Sequence, residues 1–506
     1  MRERDQETLI QFLMRHVQEG QASFHMPGHK GSALFRRFGY GPVLEKLVDL
    51  DITEITGADN LFLHERVLGD LMERYAALYG AKQAFLLVNG SSAGLQAAIG
   101  ATVGPGETLL MARNCHKAIW NGVSLAGGQC AYLYPETIAG WDLAGEVTPE
   151  AVAAAMEARP EAKVVLVTSP NYYGVCSDIV AIAQVVHHRD GILIVDQAHG
   201  AHLFLTDPGL AAEKAGADLV VTSTHKTLAS FTQSAILLVC SDRVSVPLLE
   251  DWLQMLQSTS PSYLLMASLD MNEALLYQYG KSLAAEWNEN VAQFYEAAEE
   301  IPGLRILTHP WLDRTKLNLD ASALGLDGPA LEAALLDKGI FLELTSGNLA
   351  MALTGIGNEA ADYQLLAESL RDIAAQAASR QDAAAQAVSA SGASPGTASA
   401  CNTGQRTAPA SGAFAASGSN DSATFRALYD KVRLQRPVPR NRIAVPWQEA
   451  AGKVCAAPLI PYPPGIPLVC PGEVMDQESL AFVARRREAG QKIMGMDPEG
   501  RVVVGR

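Results

Sequence analysis

Lys226 closes the tetrapeptide Ser223-Thr224-His225-Lys226, which follows the largely apolar run Ala217-Asp218-Leu219-Val220-Val221-Thr222. A buried strand that ends in such a lysine sets a primary amine into the cleft at the strand's carboxyl end, where it can condense with an aldehyde. Earlier in the chain a second apolar run, 191–195, leads into Asp196-Gln197-Ala198-His199-Gly200-Ala201-His202. A pyridoxal ring acts as an electron sink only while its pyridine nitrogen keeps a proton, and a carboxylate at a neighbouring strand end would hold that proton. Asp196 is the candidate for that task. Lys226, His199 and His225 are the candidate acids that return a proton to the product, and the sequence does not separate the two histidines.

A phosphorylated cofactor also needs an anion site. The strand-like run 84–88 is followed by Asn89-Gly90-Ser91-Ser92-Ala93-Gly94, which opens a helical stretch over 95–101. Small residues there let the backbone approach a phosphate, and the unpaired amides of a helix start favour its charge. After the next strand-like run, 108–112, comes Arg113-Asn114-Cys115-His116-Lys117-Ala118, in which the His116 imidazole could stack on an aromatic ring.

The elements that must position these residues alternate between helices and short apolar strands from Gly69 to Val239, the pattern of a mostly parallel sheet covered by helices on both faces. The run 164–167 adds a strand and leads into Thr168-Ser169-Pro170-Asn171-Tyr172-Tyr173-Gly174, a loop expected at the same sheet edge, in which Asn171 could form a turn or, by the family resemblance given below, contact the cofactor. Further on, a helix over 284–299, a strand over 315–319, a helix over 329–337 and the segment 339–344 read as a smaller α/β domain, in which Glu343 is expected to be structural.

The order of these blocks resembles the pyridoxal-phosphate enzymes of aspartate aminotransferase fold (fold type I), specifically the Orn/Lys/Arg decarboxylase family. Phe24-His25-Met26-Pro27-Gly28-His29-Lys30-Gly31, with Asp51-Ile52-Thr53-Glu54 and Gly57-Ala58-Asp59-Asn60-Leu61, is similar to that family's amino-terminal signature. Pro461-Tyr462-Pro463-Pro464-Gly465-Ile466-Pro467 and Pro471-Gly472-Glu473 are similar to its carboxyl-terminal one. The resemblance implies pyridoxal 5'-phosphate as cofactor, bound through Lys226 and Asp196, with Ser91, Ser92, Ser223 and His225 on the phosphate and His116 stacked on the ring. It implies decarboxylation of arginine, lysine or ornithine to a polyamine precursor, with Glu473 meeting the distal cation of the substrate, and a homodimer or higher homo-oligomer. An aminotransferase or another lyase of the same fold, and a catalytically silent homologue with a binding or regulatory role, are the alternatives. No acidic receiver-like domain precedes the His25 block, as in compact members.

Composition agrees with a cytoplasmic enzyme. The 506 residues are 48% hydrophobic, enough for a large core and more than one domain. A formal net charge of −16, without an extended Lys/Arg stripe, argues against a nucleic-acid partner. No apolar run approaches the length of a membrane span, and the charged amino terminus lacks a signal-peptide core. The seven cysteines are scattered without metal-ligand spacing, so reduced thiols are expected and no metal site. The expected domains are an amino-terminal segment (1–65), a cofactor-binding large domain (66–275), a small α/β domain (276–376) and a carboxyl-terminal domain (425–506). Between them, the Ala/Ser/Gly/Thr-rich stretch 377–424 has too little apolar surface to fold alone and reads as a disordered linker with a helical start to about Val388.

Overall fold

The computed structural model describes residues 7–18, 22–141, 143–390, 428, 433, 436, 438, 439, 441–462, 467–488 and 492–506. Seven short runs dominated by Val, Leu, Ile and Ala form its central sheet: β1 (Gln83–Leu87), β2 (Thr108–Ala112), β3 (Gln129–Leu133), β4 (Val164–Thr168), β5 (Ile192–Asp196), β6 (Leu219–Thr222) and β7 (Ala235–Val239). Strands β2, β6 and β7 are buried throughout, as continuous apolar runs must be when helices cover both faces of a sheet. The spatial order is β1-β7-β6-β5-β4-β2-β3. Strands β2 to β6 pair in parallel, and β7 runs antiparallel to both β1 and β6. The sequence did not single out β3 or β7. The first is an edge strand of mixed polarity, and the second is one more apolar run whose direction only the sheet reveals.

Register aligns the strand ends. Thr168 lies beside Asp196, and Asp196 beside Val221. Across β7, Ala235 pairs with Leu87 and Ile236 with Thr222. The carboxyl ends of β1, β4, β5 and β6 therefore share one edge of the sheet, where open α/β sheets bind ligands.

Helix α1 (Gly90–Thr102) follows β1, and α2 (Lys117–Ala126) follows β2. The long helix α3 (Tyr263–Glu299), whose start is capped by the Ser262 side chain accepting from the Leu265 amide, crosses the expected domain boundary at 275/276. It spans about 55 Å at 1.5 Å per residue and ties the large domain to the small one. The small domain carries an antiparallel sheet of β8 (Arg305–Ile306), β9 (Lys316–Asp320), β10 (Leu344–Ser346) and β11 (Leu349–Leu353), in the order β8-β9-β11-β10. Helices α4 (Gly328–Leu336) and α5 (Ala360–Ala390) complete it. Because its alanines favour helix, α5 continues past residue 377 into the expected linker. Residues 391–424 of that linker, and 463–466 of the Pro/Gly signature, lie outside the described residues.

The amino-terminal segment is stitched to the small domain, Ala22–Phe24 pairing in parallel with Ile340–Leu342. The carboxyl-terminal unit has its own core, including Leu459, Val469, Leu480, Phe482 and Val502, beneath the helix Gln477–Glu488 and the antiparallel pair Arg442–Pro446 and Arg501–Gly505.

Candidate active site

Lys226 sits in a single helical turn, Thr224–Thr227, just past the end of β6. Its Nζ lies 2.9 Å from His199 Nε2. Burial lowers the pKa of the amine, with Lys316 adding to the effect, while Asp196 and Glu343 oppose it. A lysine so placed is more often neutral, the form that attacks an aldehyde. Asp196, at the last position of β5, is 2% exposed and accepts the Ala198 amide at 3.1 Å. Burial raises its pKa, with Lys226 pulling the other way. A cationic partner at this carboxylate would offset the desolvation.

The two candidate histidines separate. His199 is buried, contacts Lys226, and packs at 4.7 Å between ring centroids against Tyr172. Burial and the neighbouring Lys226 and Lys316 hold its pKa well below the usual range, and its Nδ1 has no hydrogen-bond partner. His225 instead donates from Nδ1 to the Ser234 carbonyl at 2.7 Å, and its pKa is pushed down to about 4, chiefly by burial. A neutral ring that donates from Nδ1 presents only a lone pair at Nε2, so His225 can donate to a phosphate only when protonated.

His116 caps α2, its Nδ1 accepting from the Ala118 amide at 3.2 Å. The residue is exposed, while the protein around it and the Lys226 charge push its pKa down to about 4, which keeps the imidazole neutral for stacking. Ser91 and Ser92 are half-buried in the first turn of α1, behind Gly90 at φ +74°, and Asn89 makes no side-chain cap there, its Nδ2 donating to the Leu256 carbonyl. Ser223 is buried, and its Oγ has no hydrogen-bond partner. An uncapped helix start, an orphaned hydroxyl, a strand-end carboxylate and a reactive amine at one sheet edge are the donors that a phosphorylated pyridoxal requires, so the residues present fit that group.

The amino-terminal signature forms the back wall of the lysine turn. The Gly28 amide donates to the His225 carbonyl at 2.8 Å, and a Cβ on Gly28 would sit 2.3 Å from the Thr227 carbonyl carbon, so no other residue fits without displacing the turn. Lys30 donates to the His25 and Leu353 carbonyls, and burial brings its pKa down to about 7. Glu343, expected to be structural, joins three parts of the chain: it accepts from Tyr172 Oη at 2.6 Å and from the Met26 amide at 2.9 Å. With Asp196, it is a carboxylate whose charge acts on the Lys226 amine. Two serine-free signals could have marked this wall, the close Pro-Gly-His-Lys run and the Tyr172-Tyr173 pair after β4, but neither names its partner.

The structure closes one open choice and gives one expected site residue a structural role. Asn171 is a turn former: its Nδ2 donates to Ala144 and its Oδ1 accepts from the Tyr173 and Val175 amides, leaving nothing for a cofactor. Glu473, expected at the distal end of the substrate, is 1% exposed, accepts the Cys470 amide at 2.7 Å, and lies 3.5 Å from Arg113 and 3.9 Å from Arg433. Arg113 in turn donates to the Pro467 and Leu468 carbonyls and packs over Tyr132. Within this chain Glu473 neutralises the arginine that docks the carboxyl-terminal unit onto the end of β2.

Both parts of the chain are similar to known proteins. The model for the major domain of Orn/Lys/Arg decarboxylases matches residues 8–337, and the model for their C-terminal domain matches 429–503. An arginine decarboxylase of Bacillus subtilis is 30% identical over 505 residues, covering 96% of this chain and 94% of the relative. An uncharacterized protein of the same organism, YaaO, is also 30% identical, over 488 residues, covering 94% and 93%. The constitutive lysine decarboxylase of E. coli superposes with a TM-score of 0.71 at 20% identity, over 98% of this chain and 81% of that one, which shows the shared fold. With Lys226, Asp196 and the α1 start assembled on a fold type I sheet and both family domains matched, the chain belongs to the Orn/Lys/Arg decarboxylase family, as a pyridoxal-phosphate-dependent amino acid decarboxylase.

Proposed function

We propose that the protein decarboxylates arginine, yielding a polyamine precursor, and that Lys226 and His199 handle the proton that replaces the carboxylate. The observation that carries this reading is the 2.9 Å contact between Lys226 Nζ and His199 Nε2 beside Asp196. The named activity of the B. subtilis relative puts arginine ahead of lysine and ornithine.

Bound pyridoxal phosphate supplies an aldehyde that captures the substrate's α-amine and a ring that takes up the electron pair left as carbon dioxide departs. Lys226 would hold the cofactor, and its lowered pKa favours the neutral amine that bonds to an aldehyde. Asp196 keeps a proton on the pyridine nitrogen. The α1 start with Ser91 and Ser92, together with Ser223, holds the phosphate, and the neutral His116 ring covers one face. The neutral His199 ring accepts from Lys226 Nζ through Nε2 and so aims the ammonium whose proton reaches the product carbon. Glu343, fixed by Tyr172 and Met26, is assigned the distal cation of the substrate in place of Glu473.

Assembly as a homodimer in the cytoplasm belongs to the same reading. It would cover apolar side chains left open on the amino-terminal segment, such as Leu9, Ile10, Val17, Val48 and Leu63. Among the described residues no helix is long and apolar enough to cross a membrane.

The test is carbon dioxide release from arginine, lysine and ornithine side by side, with wild type and Glu343→Gln. Turnover of arginine with a KM raised at least tenfold in the variant supports the reading. Keto-acid-dependent amino transfer without carbon dioxide release overturns it.

A further inference from the structure

Behind Lys226 lies a cluster of charged and polar groups that the reaction does not touch. Asp313 is 3% exposed, and Lys316 and His202 are 0% exposed. Asp313 and Lys316 flank the start of β9 in the small domain, whereas His202 follows the Asp196–His199 loop of the large domain. One carboxylate organises all of them. Asp313 Oδ2 lies 3.1 Å from His202 Nε2, Oδ1 accepts from Thr315 Oγ1 at 2.7 Å and from the Thr315 amide, and Oδ2 is paired with the Lys316 ammonium.

From this hub two arms reach the site. In the first, His202 donates from Nε2 to Asp313, so Nδ1 carries the lone pair that accepts from Thr227 Oγ1 at 3.1 Å. Thr227 is the residue after Lys226. In the second arm, Lys316 Nζ donates at 2.6 Å to the backbone carbonyl of His199, whose ring meets Lys226. The Asp313 amide is itself tied to the Gly174 carbonyl in the loop after β4, and the Trp287 ring packs on His202 at 4.8 Å, so the hub has little room to drift.

We propose that Asp313 is a positioning residue that, from the small domain, fixes Lys226 through His202 and Thr227 and fixes His199 through Lys316. It rests on the reading of Lys226 and His199 as the proton-handling pair. A shift of about 1 Å between such groups costs on the order of a hundredfold in rate, so a device that sets both from one carboxylate has a catalytic consequence without touching the substrate. It also makes the site depend on docking of the small domain, because neither arm exists without β9.

The experiment uses the full chain with Asp313→Asn, His202→Gln, Thr227→Val, and Asp320→Asn as a control that lies on β9 but faces Arg305. One readout needs no turnover: the rate at which Lys226 of the cofactor-free protein is modified by formaldehyde and borohydride, read by mass spectrometry. The others are kcat and KM of the holoenzyme and the unfolding midpoint. Asp313→Asn is expected to change the Lys226 modification rate at least fivefold and lower kcat about a hundredfold, with KM within threefold. Thr227→Val, a milder change that keeps the test alive should Asp313→Asn fail to fold, is expected to shift the modification rate at least twofold. The pair His202→Gln/Asp313→Asn should be no slower than Asp313→Asn alone, since both break one arm. Asp320→Asn should lower the midpoint and leave Lys226 reactivity unchanged. Wild-type Lys226 reactivity in Asp313→Asn or in Thr227→Val, or multiplying effects in the double variant, would overturn the proposal. The modification readout would still stand if the substrate assignment failed.

Discussion

Replacing Glu473 by glutamine separates two roles that the same carboxylate could have. The side chain is 1% exposed, and its Oε2 is shared between Arg113 at 3.5 Å and Arg433 at 3.9 Å, with Arg113 itself fully buried. Removing one partner of a buried ion pair costs ~3–5 kcal/mol, because the remaining charge stays desolvated. Glutamine keeps an oxygen for the Cys470 amide, so that hydrogen bond, worth about 1 kcal/mol, survives and places the expected loss near the lower end, ~3 kcal/mol. The assay is urea unfolding followed by tryptophan fluorescence, to which Trp120 beneath the Arg113 guanidinium contributes. Arg113→Met should cost at least as much, since it also orphans the Pro467 and Leu468 carbonyls. The double variant should cost less than the sum of the two, because it removes both buried charges together. If Glu473→Gln changes stability by less than about 1 kcal/mol while raising KM for arginine tenfold or more, the carboxylate recognises substrate and the docking argument fails.

Gly28→Ala places a Cβ against the backbone of Thr227 and Leu228, and overpacking of this kind costs ~1–3 kcal/mol. Since the strain falls on the lysine turn, cofactor dissociation measured by dialysis and absorbance should accelerate at least tenfold, and an unchanged rate would refute the backing role. Lys30 gives a pH signature. Its folded pKa of about 7 lies below the unfolded value, so between roughly pH 7 and 10 the unfolded chain binds the proton that the folded chain lacks, and stability from this group rises with pH. The unfolding free energy of wild type minus that of Lys30→Met should therefore climb across this window, by at most about 5 kcal/mol at 1.36 kcal/mol per pH unit, and a flat or falling difference would contradict it.

Much of the large domain could be read in the chain because its strands are uninterrupted apolar runs that end in chemically unusual residues. Asp196 and Lys226 were visible as such endings, and the parallel register of β5 and β6 is what makes them neighbours. The helix start at Gly90 was legible for the same reason, a change from strand to small residues. What could not be read were contacts between residues ordinary in their own surroundings. Glu343 lies in an apolar stretch of the small domain and gains its meaning from Tyr172 and Met26, which the fold brings from two other elements. Glu473 looked like a free anion because its partner Arg113 is more than three hundred residues away in sequence. The Asp313 hub was missed altogether, since an aspartate, a threonine and a lysine at a strand start are common, and only domain docking sets them behind Lys226. The preference for His199 over His225 in the proposed reaction rests on one carbonyl, that of Ser234, which ties up the second ring.

The most direct test of the central claim is to incubate the purified chain with pyridoxal phosphate, reduce with borohydride and map the modified peptide, while measuring carbon dioxide release from arginine in an unreduced sample. The account predicts a single cofactor-modified residue, Lys226, carbon dioxide and the corresponding amine in equal amounts, and loss of both the modification and the release in Lys226→Ala. Modification at a different lysine, or undiminished carbon dioxide release by Lys226→Ala, would contradict it.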